Sequence, residues 1–279
     1  MSKVSMTPFV KWAGGKKQLL DKLREKAPKK YERYYEPFVG GGAFLFDIRP
    51  NVATIGDINE QLINVYLQLK KDAKKIIRLI NELDRVPCTK EFYLETRDKY
   101  NEKIRNGELD EECAALMIYI NKHCFNGLYR VNTKGLFNVP YNNREGGKSI
   151  DEVNLMNIGY FLNHHSIDIR CEDFESVCQD VKKGDFVYFD SPYLPINVTS
   201  SFVDYTKNGF SLEEHERLAR LFRELDRRGA LLMLSNNDVP MVYDLYEGFH
   251  IENVDVRRNI NSNATKRQGK EVIVTNYKV

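Results

Sequence analysis

Tyr34-Tyr35-Glu36-Pro37-Phe38-Val39-Gly40-Gly41-Gly42-Ala43-Phe44-Leu45-Phe46, followed by Val52-Ala53-Thr54-Ile55-Gly56-Asp57, is the stretch that decides the fold. The aromatic run from Tyr34 to Val39 reads as a short strand, three glycines break it, and the apolar run from Ala43 starts a helix. Val52–Ile55 is a second strand, closed by Asp57. Strand, helix and strand in this order begin a βαβ unit and therefore a parallel sheet.

Outward from this stretch the texture changes twice. An earlier helix is expected over Lys16–Lys26, where Leu19, Leu20 and Leu23 share a face. From Glu60 to about His165 helical patterns dominate: Leu62–Leu83, Lys90–Ile104 and Glu111–His123, with a polar, Gly- and Asn-rich segment from Asn126 to Gly147. After Ile167 the alternation returns. Ile167–Arg170 and Phe186–Phe189 read as strands, the second apolar throughout, as a strand covered on both faces should be. Ser211-Leu212-Glu213-Glu214 is a capping box opening a helix to Arg228, and Ala230–Leu234, Phe249–Val256 and Glu271–Tyr277 complete the strands. The sheet is thus interrupted in sequence by a helical insertion.

A chain of 279 residues supports roughly two domains, or one large core carrying an insertion. With 42% hydrophobic and 11% aromatic residues, intrinsic disorder is excluded. No stretch approaches the ~18 apolar residues that a bilayer demands, and Met1–Lys17 lacks the apolar run of a signal peptide. Cys88, Cys113, Cys124, Cys171 and Cys178 are odd in number and contain no C-x-x-C, so they read as reduced thiols of a cytoplasmic protein. No His, Cys or carboxylate cluster has the spacing of a metal site; His123, His164, His165, His215 and His250 read as structural or exposed. The net charge of +2 says little, but Lys and Arg gather over Lys11–Lys30 and again over Arg257–Lys270, which would suit a polyanion docking on one face.

Two constellations carry chemistry. A glycine-rich turn after the first strand of a parallel sheet lets backbone approach a ligand closely. Asp57 lies 15 residues past Gly42, near the ~20 at which an acidic residue meets ribose hydroxyls. A nucleoside-containing ligand fits; the competing reading is a tight turn beside a surface carboxylate. A phosphate-cradling loop is excluded, because Val10 stands where its first glycine is needed and Lys17 where Ser or Thr must follow. The second constellation, Asp190-Ser191-Pro192-Tyr193, follows the strand Phe186–Phe189 directly. In an open α/β sheet that end of a strand faces the ligand crevice. A planar base with an exocyclic amine would be gripped there: Tyr193 stacks on the ring while Asp190 and the Ser191 carbonyl accept the two amine hydrogens, leaving the nitrogen more nucleophilic. A helix-capping Asp followed by a Pro turn is the competing reading.

Pro8-Phe9-Val10-Lys11-Trp12-Ala13-Gly14-Gly15-Lys16, Glu36-Pro37-Phe38-Val39-Gly40-Gly41-Gly42 and Asp190-Ser191-Pro192-Tyr193 together resemble the Dam-type DNA adenine methyltransferases of the D12 class, in the alpha-group order of motifs. Between them, Asn126-Gly127-Leu128-Tyr129-Arg130-Val131-Asn132 and Phe137-Asn138-Val139-Pro140-Tyr141 resemble that family's DNA-reading β-hairpin. The likeness runs from about Thr7 to Lys278. It implies a Rossmann-like, mostly parallel seven-stranded sheet, the fold of S-adenosylmethionine-dependent methyltransferases, with an inserted, mainly helical DNA-recognition domain. Residues 1–60 and 165–279 would form the catalytic domain and 61–164 the target-recognition insertion.

The resemblance also implies roles. Trp12, Lys16, Glu36, Phe38, Gly40, Asp57, Asp173, Phe174 and Asp190 would hold S-adenosylmethionine, with Asp57 on the ribose and Asp173 and Phe174 at the adenine; for Trp12 and Phe174 the competing reading is packing aromatics of the core, and no metal is implied. Asp190, Ser191, Pro192 and Tyr193 would clasp a flipped-out adenine and methylate its N6 amine in double-stranded DNA, within GATC. Arg130 would read a guanine, because a guanidinium fork matches its O6 and N7 edge. Lys11 would read a second guanine, Leu128 would pack among the bases, and Asn126, Asn138 and Pro140 would shape the hairpin or touch the strand. Arg257, Arg258, Lys266 and Arg267 would bind phosphates. A monomer or weak dimer is expected, in a solitary regulatory role or beside a restriction endonuclease acting on the same site.

One position departs from the family, which usually has proline where this chain has Ser191. The carbonyl survives the change and Pro192 still biases Ser191 toward extended angles, but the ring that locks φ is lost. A slower enzyme is expected. Two other readings compete: a DNA-binding module that has lost catalysis through Ser191, and a methylase of a protein glutamine amide or of RNA, for which the Asn126–Pro140 hairpin has no reason.

Overall fold

A computed structural model describes residues 6–16, 18–195, 210–257 and 268–278. The chain divides into two compact units, one of Met1–Gly15, Gly40–Asn51 and Asp57–Cys171, the other of Lys16–Val39, Val52–Gly56 and Glu172–Val279. In chain order the described strands are β1 (Tyr34–Glu36), β2 (Val52–Gly56), β3 (Ser166–Arg170), β4 (Phe186–Phe189), β5 (Leu231–Asn237), β6 (His250–Arg257) and β7 (Gln268–Thr275). They form the expected seven-stranded sheet, in the order β3-β2-β1-β4-β5-β7-β6. β1 runs parallel to β2 and β4, and β4 parallel to β5; β7 is antiparallel to both β5 and β6.

In the second unit the sheet sits on a core that follows directly from residue pattern. Phe186-Val187-Tyr188-Phe189 is buried throughout, as the unbroken apolar run required. Helix α8 (Leu212–Arg228) opens with the capping box, Glu214 N–H donating to Ser211 Oγ at 3.2 Å and Ser211 N–H to Glu214 Oε2 at 2.7 Å. It lays His215, Leu218, Ala219, Leu221, Phe222 and Leu225 into a core shared with Val187, Phe189, Leu232 and Leu234. Two short helices that the sequence pattern left unmarked, α7 (Phe174–Val177) and α9 (Pro240–Leu245), belong to this unit, as does α1 (Leu20–Lys26), which begins four residues later than its leucine spacing suggested.

The first unit is mainly helical. Besides α2 (Ala43–Ile48) it contains α3 (Glu60–Leu83), α4 (Lys90–Arg105), α5 (Glu111–His123) and α6 (Glu152–His164), the last of which had no outline in the sequence. Each of these four has its cap: the side chains of Asn59, Thr89, Asp110 and Asp151 accept the backbone N–H three residues on. Within α3, Asp72 leaves helical geometry (φ −158°, ψ 85°) and its carboxylate accepts Lys75 N–H at 3.0 Å, so it caps the helix afresh after the kink. Helix α6 approaches α3 so closely at Gly159 that a Cβ there would lie 2.6 Å from Ala73 Cβ.

Strand boundaries differ as well. β1 stops at Glu36 rather than Val39 because Pro37 has no N–H to donate to the ladder, although Val39 N–H still reaches Gly56 O at 2.9 Å. β5 continues through Ser235, Asn236 and Asn237, and β7 runs Gln268–Thr275, three residues earlier than its hydrophobic pattern alone indicated. The expected hairpin between Asn126 and Tyr141 is a doubled-back segment without a continuous ladder. Isolated antiparallel bridges pair Cys124 with Tyr141 and Val131 with Phe137, and a turn at Asn132–Leu136 closes the tip.

Candidate active site

In the second unit, β1 and β4 are neighbours in parallel, with Tyr34 opposite Phe186, so the turns that follow them leave the sheet at the same edge. Asp190 comes immediately after β4. Its Oδ1 is 2.6 Å from the Lys16 ammonium and accepts the Ser235 hydroxyl at 3.2 Å; Tyr188 and Ser235 hydroxyls pair behind it at 3.0 Å. Burial pushes the Asp190 carboxyl above the usual range, and Lys16 and Ser235 pull it part of the way back. Tyr193 donates its hydroxyl to Glu271 Oε2 at 2.9 Å and lies under the Lys16 ammonium, 4.4 Å from the ring centroid. Its phenol is held well above its usual value, first by burial and then by the neighbouring Asp190 charge. Ser191 is 2% exposed, and its hydroxyl is among the buried polar atoms with no hydrogen-bond partner in the described residues. Asp190, Lys16 and Tyr193, singled out from sequence, are therefore one cluster, and Ser235 and Glu271 join it.

Glu36 and Phe38 belong to the same unit. Glu36 is buried and accepts the Tyr34 hydroxyl at 2.7 Å. Phe38 stacks on Phe174 at 5.3 Å, and Phe210 meets Phe38 edge-on at 5.6 Å. Phe174 sits in the core at 2% exposure. Asp173 caps α7 by accepting Glu175 N–H, and Arg217 donates to it at 3.0 Å while its guanidinium lies 4.9 Å from the Phe174 ring.

In the first unit the glycine turn is built around Gly40, whose φ of +48° suits only glycine well; a Cβ there would come within 2.8 Å of Trp12 Cδ1. Gly40 N–H donates to Asp57 Oδ2 at 3.2 Å, Asn59 N–H donates to Asp57 Oδ1 at 3.0 Å, and the Tyr66 hydroxyl donates to Gly40 O at 2.9 Å. Asp57 is raised by burial, against which these amides act. Trp12 stacks on Tyr129 with centroids 5.0 Å apart. Trp12, Gly40 and Asp57 are thus brought together in this unit.

Lys11 and the Asn126–Tyr141 segment are also held together in this unit. Asn121, which carried no sequence signal, accepts Lys11 N–H at 2.8 Å and donates to both Lys11 O and Gly127 O at 3.1 Å. Asn126 adopts the left-handed conformation at φ 57°. Exposed Arg130 donates from Nε to Asn138 Oδ1 at 2.9 Å, and Asn138 N–H returns to Arg130 O at 3.2 Å. Phe137, Val139 and Tyr141 are buried between half-buried Asn138 and exposed Pro140, with Asn101 and the Tyr93 hydroxyl fixing the backbone of Phe137 and Val139. Leu128 is 44% exposed and Phe125 51%. Phe125 precedes the Asn126–Asn132 motif, and only its position as an aromatic beside Asn126 marks it in the sequence. Arg258, Lys266 and Arg267 lie outside the described residues, and of Arg257 only the backbone, the last of β6, is described. Among the described residues no group of three or more His, Cys, Asp or Glu is placed to hold a metal ion, and no helix is long and apolar enough to cross a membrane.

Residues 12–260 match the family model of D12 class N6 adenine-specific DNA methyltransferases. The chain is 42% identical over 282 residues to the type II methyltransferase M1.LlaDCHI of Lactococcus lactis subsp. cremoris, covering 99% of this chain and 97% of that protein. It is 42% identical over 292 residues to the type II methyltransferase M.MjaIII of Methanocaldococcus jannaschii, covering 98% and 100%. It is also 31% identical over 272 residues to the DNA adenine methylase of Escherichia coli strain K12, covering 97% and 95%.

Proposed function

The chain belongs to the D12 class N6 adenine-specific DNA methyltransferases, and from that premise we propose that it methylates the N6 amine of adenine within GATC in double-stranded DNA, using S-adenosylmethionine. Membership makes it an adenine-specific DNA methyltransferase and sets aside the readings as a bare DNA-binding module and as a methylase of protein amides or RNA. The observation that carries the mechanism is the half-buried Asp190 carboxylate, paired with Lys16 beside the Tyr193 ring, directly after β4.

The residues present fit the cofactor. Gly40 keeps open the space beside the Trp12 indole that any Cβ would fill. Asp57 and Asp173 supply carboxylates suited to ribose hydroxyls and an adenine amine. Trp12, Lys16, Glu36, Phe38, Gly40, Asp57, Asp173, Phe174 and Asp190 would hold it. When bound, S-adenosylmethionine supplies a methyl group already activated on a sulfonium. The chain's own task is to bring the amine into line, a kind of orientation that lowers a barrier by up to ~7–11 kcal/mol in favourable cases. Extruding the adenine costs a few kcal/mol. Asp190 then accepts one amine hydrogen and the Ser191 carbonyl the other, while Tyr193 stacks on the ring. Holding both hydrogens out of the ring plane frees the nitrogen lone pair. Pro192 keeps Ser191 extended so that its carbonyl stays presented.

Residues 1–60 and 165–279 are assigned to cofactor binding and catalysis, and 61–164 to target recognition, a division by role. Arg130 and Lys11 read guanines; Leu128 packs among the bases, joined by exposed Phe125 as a second apolar wedge. Asn126, Asn138 and Pro140 shape the segment, and Arg257, Arg258, Lys266 and Arg267 take phosphates. The protein acts in the cytoplasm as a monomer or weak dimer. The type II methyltransferases among its relatives favour pairing with a restriction endonuclease over a solitary role. Plasmid DNA treated with the protein and cofactor should resist endonucleases blocked by adenine methylation in GATC and become sensitive to those that require it. Digestion patterns unchanged from untreated plasmid would refute the site assignment.

A further inference from the structure

We infer that Asn236 and Asn237, at the end of β5, are positioning residues that hold the Asp190–Leu194 loop in its catalytic geometry. The inference rests on the reading of that loop as the amine clasp. β5 reads apolar from Leu231 to Leu234 and then turns polar without leaving the interior: Ser235 is 0% and Asn236 1% exposed. A buried amide is expensive unless bonded, and these side chains spend their bonds on the loop. Asn236 Oδ1 accepts Leu194 N–H at 2.9 Å and Asn237 N–H at 2.8 Å; Asn237 Nδ2 donates to Leu194 O at 2.6 Å. Both backbone groups of Leu194 are therefore tied to one strand end. Ser235 holds Asp190 from the same strand, and Glu271, paired opposite Asn237 on β7, holds the Tyr193 hydroxyl.

Ser191 itself contributes no such anchor. It lacks a ring to fix φ, and its buried hydroxyl has no partner among the described residues. Its carbonyl must nevertheless stay on the amine hydrogen, and a displacement of about 1 Å in such a group costs about a hundredfold in rate. Asn236 and Asn237 act one residue past Tyr193, where they fix the exit of the loop just as Asp190 fixes its entry. They touch neither base nor cofactor in this role.

The test compares wild type with Asn236→Leu, which removes the acceptor at similar volume, and Asn236→Asp, which retains it. Each full-length protein is given saturating tritiated S-adenosylmethionine and unmethylated plasmid DNA, with enzyme in excess of sites. The single-turnover rate, cofactor Kd and N6-methyladenine content are read. Asn236→Leu is expected to slow transfer about tenfold to a hundredfold with cofactor Kd within about twofold, and Asn236→Asp to recover to within about threefold of wild type. Should Asn236→Leu not fold, Asn237→Ala, at a half-buried position, is expected to show the same split. A wild-type rate in whichever of these two is measured overturns the inference, as does a loss of cofactor binding in proportion to rate. Failure of Asn236→Asp to exceed Asn236→Leu overturns it too. Absence of N6-methyladenine from the wild-type reaction overturns instead the reading of the clasp on which it rests.

Discussion

Replacing Gly40 by alanine probes the proposed cofactor-binding turn at a single atom. The backbone there has φ +48°, and the added Cβ would stand 2.8 Å from Trp12 Cδ1 and 3.4 Å from its Nε1. The left-handed conformation costs a non-glycine residue about 1–2 kcal/mol, and forcing a methyl into an occupied space adds about 1–3 kcal/mol. The indole can escape by swinging away, which relieves the second part and leaves the first. Gly40→Ala is therefore expected to lower Tm by roughly 4–8 °C, taking ~2 kcal/mol at ~2–4 °C per kcal/mol, without unfolding the protein. If cofactor binding needs the indole where it stands, the relieved strain returns in the complex as about fivefold to 150-fold weaker affinity. Trp12 is the only tryptophan, so its emission reports the displacement directly, and the same signal titrates S-adenosylmethionine. Gly41→Ala is the internal control: its φ is not in the left-handed region and its Cβ would meet Pro8 Cβ at 3.3 Å, so a smaller effect on both readouts is expected. An unchanged Trp12 spectrum in Gly40→Ala, together with cofactor affinity within twofold of wild type, would refute the assignment of Trp12 and Gly40.

Arg130→Ala should lose about 1–3 kcal/mol of discrimination at one guanine while leaving cofactor affinity alone; methylation rates on GATC and single-mismatch duplexes check this, and a wild-type mismatch ratio rejects the role. In the proposed clasp Asp190 is the stronger acceptor for an amine hydrogen when ionised, and burial raises its carboxyl while Lys16 opposes that rise. Activity should consequently climb with pH through a value above the ordinary carboxylate range, and Lys16→Met should move that acid limb to higher pH in single turnovers at saturating cofactor. Coincident limbs would show that Lys16 does not govern the carboxyl. His215, buried on α8 with Nε2 unpartnered among the described residues, is pushed down to about 4 by burial. Its folded value lies below the ordinary 6.5, so the unfolded chain protonates first and stability is lost as pH falls through that window, by up to about 3 kcal/mol. His215→Phe should remove most of that loss, measured as the difference in urea stability between pH 7 and pH 4.5; an equal loss in both proteins contradicts it.

Local signals made much of the fold legible. Val187 and its neighbours announced a doubly covered strand by an unbroken apolar run, and Ser211 with Glu214 announced the start of α8 to the residue. Helix α6 escaped because its apolar residues lie on more than one face: Val153, Met156 and Tyr160 are exposed while Leu155, Ile158 and Phe161 are buried, so no clean stripe appears. The doubled-back segment at Asn126–Tyr141 kept the alternation of a strand in Phe137, Val139 and Tyr141, but Asn101 and Tyr93 satisfy its backbone in place of a partner strand. Side chains belonging to another element can thus write a strand-like pattern without a ladder.

The candidate residues divide along the same line. Asp190, Tyr193, Gly40 and Asp57 could be picked out because each sits in a turn directly after a strand of the parallel sheet, where position in the chain and position in the fold coincide. Lys16, Ser235, Asn236 and Glu271 give that turn its shape, yet they stand 174, 45, 46 and 81 residues from Asp190. Lys16 is marked by the Pro8–Lys16 motif, but nothing local marks the other three. Their one common trait is polarity where the surroundings are buried, and that trait appears only once burial is known: Ser235 and Asn236 follow Leu234 in a strand whose hydrophobic run would otherwise simply end. Ser191 sharpens the point, because reading it alone predicts a looser loop through the missing ring. The loop's geometry is instead set by bonds to Asp190, Tyr193 and Leu194 from β5 and β7. Rigidity at a catalytic residue is a property of what its neighbours are tied to, so a substitution that removes a local constraint is tolerated wherever the flanking residues are already fixed by distant ones.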